Sequence, residues 1–321
     1  MRTIHEIMEE SGAAIAVAGH VNPDGDCVGS CVGLFLYLKK NYPEKQITLF
    51  LEQPKDALMS IKGAENLHTE IPENYNADLL FLCDVSTEDR IGAAGSLLHT
   101  AAHSVCIDHH VSNPGFADEN EIRPDASSCA EVLCGLLEKE RMDADIAAAL
   151  YTGIVHDSGV FAYSCTSPAT MRAVADLMEF QIPFQHIIED SFYSRTEVQN
   201  RVLGFALEKM ELSENKKVVF SSLSIMEQIR YHAKLSDLDA IVSQLRLTKD
   251  AEAAVFLYET KPGVWKASLR SCDYLDVAAV ASEFGGGGHV RAAGCTLEGR
   301  YDLVRARIMS AVLMALRKAE A

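Results

Sequence analysis

Four short apolar runs in the first third of the chain most constrain its fold: AAIAVAG (13–19), QITLFLE (46–52), ADLLFLCD (77–84) and HSVCID (103–108). Each has strand length, and uninterrupted apolar character argues for burial on both faces, which is the habit of parallel sheets. Between and after them, CVGSCVGLFLYLKK (27–40), SSCAEVLCGLLEKE (127–140) and DADIAAALYTGIVHD (143–157) have helical length and Ala/Leu content. Strands alternating with helices predict an α/β fold, with a mainly parallel sheet flanked by helices. From 185 to 215 the pattern becomes polar and helical. Then KVVFSSLS (217–224), EAAVFLYET (252–260) and VWKASLRS (264–271) predict a second, smaller α/β domain whose strands carry more polar residues. A length of 321 residues accommodates both.

Charge narrows the partners. Lys and Arg total 29 against 46 Asp and Glu, a net of −17, and no basic run is present. Long duplex nucleic acid needs a basic face and is excluded. A short anionic substrate remains compatible if cations or a few local basic groups offset the field. No apolar run reaches the ~18 residues of a membrane span. The start, MRTIHEIMEESG, is acidic where a signal peptide would be basic, so the expectation is a cytoplasmic protein without a membrane partner. Nine cysteines with no C-x-x-C pair suit reduced thiols. Cys27 and Cys31, one helical turn apart, are read as small buried residues.

In a parallel α/β sheet, ligands bind at the carboxyl ends of the strands. His20, Asp24 and Asp26 follow the first run, Asp84 ends the third, Asp108, His109 and His110 end the fourth, and Asp157 closes the helix-like run 143–157. Four carboxylates around one cleft call for cations, and two divalent ions balance Asp24, Asp26, Asp84 and Asp157. Oxygen and imidazole ligands without thiolate favour Mn²⁺, with Mg²⁺ or Co²⁺ as relatives. Two such ions ~3.5–4 Å apart activate a water and stabilise an in-line phosphoryl displacement. Farther on, FGGGGHVRAAG (284–294) follows a helical piece (276–284) rather than a strand, so it is neither a Walker loop nor a dinucleotide fingerprint. Gly285 to Gly288 read equally as a flexible linker or as backbone N–H groups turned toward an anion. His289 and Arg291 would add donors to the second reading. Arg270 in SLRS (268–271) is either a further donor or a surface ion pair.

Five motifs in order carry a resemblance. HVNPDGDCVGS (20–30) matches the H-x-x-P-D-x-D-x-x-G-S opening of the DHH phosphoesterase superfamily, and IDHHVSN (107–113) is similar to the motif that names it. LLFLCD (79–84) and GIVHDSGVF (153–161) resemble its two other aspartate motifs; the last usually reads D-T-G, and Ser158 keeps the hydroxyl. FGGGGHVRAAG is similar to the signature of the DHH-associated domain. The match spans nearly the whole chain. It implies a DHH metal-binding catalytic domain over 1–190, a helical linker over 191–214 and a DHH-associated substrate-binding domain over 215–321, with the active site in the cleft between them.

Carried over residue by residue, the resemblance implies His20, Asp24 and Asp84 around one cation. Asp26, Asp84, His109 and Asp157 would surround the other, with Asp84 bridging. Asp108 would orient the adjacent metal-bound histidine, and His110 would face the substrate phosphate or leaving group. Asn113 reads as support for this cluster or as a turn residue, and His156 as a plain helix residue. Arg270, Ser271, Gly286, Gly287, Gly288, His289 and Arg291 would hold the rest of a small nucleotide. NrnA-like members, which act on nanoRNA and 3′-phosphoadenosine 5′-phosphate (pAp), and the cyclic-dinucleotide phosphodiesterases are built this way. The implied activity is Mn²⁺-dependent hydrolysis of short oligoribonucleotides, pApA or pAp. Cyclic di-AMP hydrolysis is the first alternative and a non-catalytic nucleotide sensor the second. A processive exonuclease of the RecJ type fits a short acidic chain less well, and a related inorganic pyrophosphatase should lack GGGGH. A homodimer is compatible with the sequence.

Overall fold

The computed structural model describes residues 2–320, which divide into two compact units, one ending at Ser194 and the other starting at Arg195. In the first, α1 (Ile4–Glu10) precedes β1 (Ala14–Ala18), β2 (Gln46–Phe50), β3 (Leu67–His68), β4 (Leu79–Cys83), β5 (His103–Asp108) and β6 (Glu119–Ile122). These strands form one parallel sheet in the order β3-β2-β1-β4-β5-β6. Helix α2 (Gly25–Asn41) joins β1 to β2, and α3 (Cys129–Cys134), α4 (Ala144–Asp157), α5 (Pro168–Met178) and α6 (Phe184–Ile188) follow the sheet.

Every residue of β4 is buried because both faces are covered. On one face Ile15, Val17, Leu49 and Phe81 share a core with α1, α2 and α4. On the other, Phe50, Leu80 and Leu82 pack with Tyr75, Ile91 and Leu97 from connecting segments that hold only short 3₁₀ turns. The chain runs outward from β1 through β2 and β3, then returns to β1's other side with β4. That reversal opens a crevice at the carboxyl ends of β1 and β4. Above it, glycines let α2 and α4 approach: a Cβ on Gly29 would lie 2.5 Å from the Ala149 carbonyl oxygen and 2.7 Å from Gly153 N. The helix expected over 127–140 stops at Cys134, where Gly135 takes the C-cap position, and only a 3₁₀ turn (Lys139–Arg141) follows.

The second unit holds α7 (Glu197–Glu208), β7 (Glu211–Leu212), β8 (Val218–Leu223), α8 (Ile225–Arg230), α9 (Asp239–Arg246), β9 (Ala253–Lys261), β10 (Val264–Ser271), α10 (Val277–Ser282), β11 (Gly287–His289), β12 (Ala292–Glu298) and α11 (Tyr301–Ala319). Its sheet runs β11-β12-β10-β9-β8-β7, antiparallel except for β8–β9. Helices α10 and α11 cover one face, over Trp265, Ala267 and Leu269. Helices α7 and α9 cover the other over β8 and β9; α7, inside the stretch expected to be a linker, buries Val202, Leu203 and Ala206 there.

On that second face the core stops at β9. By the two-residue alternation of a strand, β10 and β12 present Lys266 beside Thr296, Ser268 beside Gly294 and Arg270 beside Ala292. The glycine run is not a flexible linker: Gly287–His289 is β11, paired with β12 at Gly294, Ala293 and Ala292. Two of its glycines are sterically required. A Cβ on Gly286 would lie 2.2 Å from the Gly294 carbonyl oxygen, and one on Gly288 (φ 145°) 2.4 Å from that of Ala292. Among the described residues no helix is long and apolar enough to cross a membrane.

Candidate active site

Strand β1 leads through Gly19 to His20, β4 leads to Asp84, and β5 ends on Asp108 and passes into His109 and His110. The three strands are adjacent, so these side chains meet at one edge. Helix α2 starts there, with Asp24 as N-cap and its Oδ1 accepting from the N–H groups of Asp26 and Cys27, each at 3.1 Å. Helix α4 ends there on Asp157. Asp84 has φ +60°, a left-handed conformation that aspartate tolerates better than most residues. Its N–H donates to the Ile107 carbonyl at 3.0 Å.

The distances are short throughout. His20 Nε2 lies 3.4 Å from Asp84 Oδ2 and 3.7 Å from Asp24 Oδ1, while Nδ1 contacts the Val21 carbonyl at 2.8 Å. His109 Nε2 lies 3.2 Å from Asp157 Oδ2, 3.5 Å from Asp84 Oδ1 and 3.9 Å from Asp26 Oδ2. Asp84 thus turns one oxygen to each histidine. Asp26 is fully buried; its Oδ1 accepts from Ala130 N and Ser30 Oγ, both at 3.0 Å, and its Oδ2 from Cys129 N at 2.6 Å. Three groups of potential ligand atoms lie within 4.8 Å of one another: His20/Cys27/Asp84, Asp84/His109/His110 and Asp26/His109/Asp157. Asp24 falls outside all three. Cys27 falls inside one, and it is also fully buried in the core, as its sequence reading expected.

The carboxylates and imidazoles of this cluster perturb one another strongly. Burial, then Asp84 and Asp157, push the Asp26 carboxyl well above the ordinary range, and burial lifts Asp157 to about 6. Burial disfavours the His109 cation, yet the facing Asp157 and Asp84 carboxylates push its pKa up to about 12. His20 is likewise raised against burial by Asp24 and Asp84. Asp84 Oδ1 and His109 Nε2 are buried without a hydrogen-bond partner. Buried polar atoms are ordinarily satisfied. Two orphans facing each other among carboxylates fit a divalent cation.

The expected partner of Asp108 differs. Its Oδ1 lies 2.8 Å from His110 Nδ1, not on His109, and its Oδ2 accepts from Asn113 Nδ2 at 2.6 Å. Asn113 also donates to the Val85 carbonyl at 2.9 Å and accepts from Gly115 N at 2.8 Å, so it fills both roles left open for it. Asp108 raises the His110 pKa. Asp108→Asn should therefore lower kcat/KM about 10–100-fold, the usual effect of removing a group that orients a site histidine. Metal content and the alkaline limb of the pH profile, measured together, check it: the count should hold while the limb moves to lower pH.

Beyond Asp157 the chain makes a left-handed turn, with φ of 56° at Gly159, 54° at Val160 and 65° at Phe161. A β-branched residue there is strained. The turn is held by Val160 N to the Val155 carbonyl at 2.8 Å and by Phe161 N to Ser158 Oγ at 3.1 Å, which uses the hydroxyl of the third aspartate motif. His156 does more than fill a helix: a Cβ on Gly25 would lie 2.0 Å from its ring, its Nε2 meets Ser191 Oγ at 3.1 Å, and Phe192 packs edge-on against it. Only the tertiary packing reveals this.

In the second unit, Arg270 and His289 stand on neighbouring positions of the open sheet face through Ala292, the register partner of both. Arg270 Nη1 donates to the Leu269 carbonyl at 3.0 Å. Ser271 is buried, with its Oγ 3.5 Å from the Val290 carbonyl. Arg291 is turned away to the carbonyls of Leu275 (2.9 Å) and Asp273, so its guanidinium clamps a loop. A Cβ on Gly287 would touch nothing within 4 Å, so this glycine leaves open space rather than relieving a clash. Lys266 in the same row was not singled out from sequence; its place on the strand's exposed alternation is the signal that could have found it.

A family model described as the DHH family, N-terminal domain, matches residues 14–154, and one described as the DHHA1 domain matches residues 215–316. The chain belongs to the DHH family. The DHH match takes in every motif of the cluster except the end of α4, where Asp157 stands three residues beyond it. Among known proteins, the bifunctional oligoribonuclease and PAP phosphatase NrnA of Thermus thermophilus is 28% identical, covering 99% of this chain and 95% of that protein. The Bacillus subtilis protein of the same name is 27% identical, covering 87% of each. Among solved structures, an exopolyphosphatase-related protein from Bacteroides fragilis shares the fold, with a TM-score of 0.90 and 22% identity over 99% of this chain and 96% of that one.

Proposed function

We propose that this DHH protein is a two-metal phosphoesterase that hydrolyses short oligoribonucleotides and small adenine nucleotides such as pApA and pAp. The observation that carries the reading is the cluster of Asp26, Asp84, Asp157, His20 and His109 at one sheet edge, with two buried atoms left unbonded. His20, Asp24 and Asp84 would hold one divalent cation, and Asp26, Asp84, His109 and Asp157 the second. Mn²⁺ best matches ligands dominated by carboxylate and imidazole. When bound, such ions lower the pKa of a water and neutralise charge on the phosphoryl group in transit.

The chain's own groups do the rest. Asp108 fixes the His110 ring and favours its protonated form, in which Nε2–H can donate to a phosphate oxygen or the leaving oxygen. Arg270, His289, the backbone at Gly287 and Lys266 offer donors to a further phosphate or to sugar hydroxyls. The net charge of −17, with no basic run, favours short substrates. The names of the Thermus and Bacillus relatives support the same substrate class. Nine cysteines, none in a disulfide, suit a reducing cytoplasm.

His289→Ala and Arg270→Ala should each lower kcat/KM on pApA far more than on a bis-aryl phosphodiester, which engages only the metal cluster; equal losses on both would remove these residues from substrate binding. The reading as a whole is tested by kcat/KM with Mn²⁺ for pAp, pApA, cyclic di-AMP and a five-nucleotide RNA. pAp, pApA or the RNA should lead. A lead for cyclic di-AMP overturns the substrate class, and nucleotide binding without any Mn²⁺-dependent product overturns the catalytic reading.

A further inference from the structure

The two halves of the candidate metal centre differ in chemistry. Among the described residues, the ligand groups that include His109 hold only oxygen and nitrogen donors: Asp26, Asp84, Asp157 and His110. Around His20, a sulfur joins the set, because Cys27 Sγ lies within 4.8 Å of the ligand atoms of both His20 and Asp84. Cys27 occupies the third position of α2, directly after Asp26, and is fully buried. Its Sγ accepts the His20 backbone N–H at 3.3 Å. Gly19 leaves room for the sulfur, since a Cβ there would lie 2.2 Å from it. Three further thiols, Cys31, Cys83 and Cys129, are buried nearby, but none of them belongs to a ligand group among the described residues.

We propose that Cys27 is a ligand in the His20/Asp84 half, making that position a mixed nitrogen, oxygen and sulfur site that prefers thiophilic divalent cations such as Co²⁺, Zn²⁺ or Cd²⁺. This rests on the two-cation reading above and adds to it an asymmetry between the two positions. On binding, the S–H bond breaks, its proton passes to water, and the sulfur coordinates as thiolate. The His20 N–H then stabilises that thiolate. Soft ligands select soft or borderline ions, whereas carboxylate and imidazole alone suit Mn²⁺ and Mg²⁺. The preference for Mn²⁺ drawn from a thiolate-free ligand set therefore applies to the His109 half and not to the His20 half.

Absorption spectra of the full-length, chelator-treated protein titrated with Co²⁺ test the assignment without reading activity. Wild type should show a near-ultraviolet sulfur-to-cobalt charge-transfer band beside the visible d–d bands. Cys27→Ala and Cys27→Ser should lose the charge-transfer band and keep d–d absorption from Co²⁺ in the other half. In parallel, Cys27→Ala should weaken Cd²⁺ binding by about tenfold or more while Mn²⁺ binding changes little. d–d bands without a charge-transfer band in wild type, or a charge-transfer band that survives in Cys27→Ala, would overturn the thiolate ligand and leave the two-cation reading standing. Absence of every cobalt band in wild type would overturn the two-cation reading itself, and the thiolate ligand with it.

Discussion

Asp84→Asn is expected to lower kcat/KM on pApA by more than ~100-fold, beyond the 10–100-fold typical of groups that only orient a ligand. Among the described residues, Asp84 is the one side chain that faces both His20 (3.4 Å) and His109 (3.5 Å), through different oxygens. Its loss would strip a ligand from both cations, whereas the loss of Asp157 would touch one. Asparagine is the informative replacement. It keeps the shape and accepts the left-handed φ of +60° that a bulkier side chain would resist. The fold should survive, so the melting temperature of the chelated variant should stay near that of chelated wild type. The stabilisation that Mn²⁺ should give wild type, about 2.7 kcal/mol per site when the ion is at 100 times its Kd, should shrink sharply, and the rise in melting temperature with it. Thermal melts with and without Mn²⁺, beside steady-state kinetics, check both halves of the expectation; turnover close to wild type would refute the bridging role.

The second large effect is expected at a residue that is not itself a candidate ligand, one helical turn after Asp26 in α2. Gly29→Ala should destabilise the chain by about 1–3 kcal/mol, the usual range for overpacking. The new Cβ would meet the Ala149 carbonyl oxygen at 2.5 Å and Gly153 N at 2.7 Å. Backbone atoms cannot rotate away, so α2 and α4 must part, which outweighs the ~1 kcal/mol that alanine ordinarily gains over glycine in a helix. Parting them also moves Asp26, at the start of α2, from Asp157, at the end of α4. A misplacement of ~1 Å can reduce turnover ~10²-fold. Gly204→Ala in α7 is the matched control, because a Cβ there would meet nothing within 4 Å. It should stabilise by up to ~1 kcal/mol and leave turnover unchanged. Denaturant melts and kcat/KM on the two variants separate the effects; an unchanged Gly29→Ala would mean that the helix interface has slack.

The sequence made the site legible because its strands are buried on both faces. An apolar run that stops at Asp84, or at Asp108 and His109, marks both a strand end and a charged group at that end, and the parallel topology brings the ends together. What stayed hidden depends on packing rather than pattern. β6 (Glu119–Ile122) is a polar edge strand, held partly by Arg2 and His103 on Glu119, and has no apolar run to betray it. β11 is built from glycines, whose strand state follows from pairing with β12. His156 owes its position to the bare face of Gly25. Arg291 had the right charge and neighbourhood for a substrate contact, but the carbonyls of Asp273 and Leu275 claim it. Asp108 pairs with His110 two residues on, because the backbone turn at the end of β5 presents that ring to it and carries His109 toward Asp157.

The central claim, that this edge is a two-metal phosphoesterase site, is tested most directly by calorimetric Mn²⁺ titration of chelator-treated protein, with pApA turnover assayed on the same samples. Two Mn²⁺ per wild-type chain should bind, with turnover appearing as they do, and Asp84→Asn should lose both the stoichiometry and the turnover. Undiminished pApA hydrolysis by the chelated wild type, or by Asp84→Asn, would contradict it.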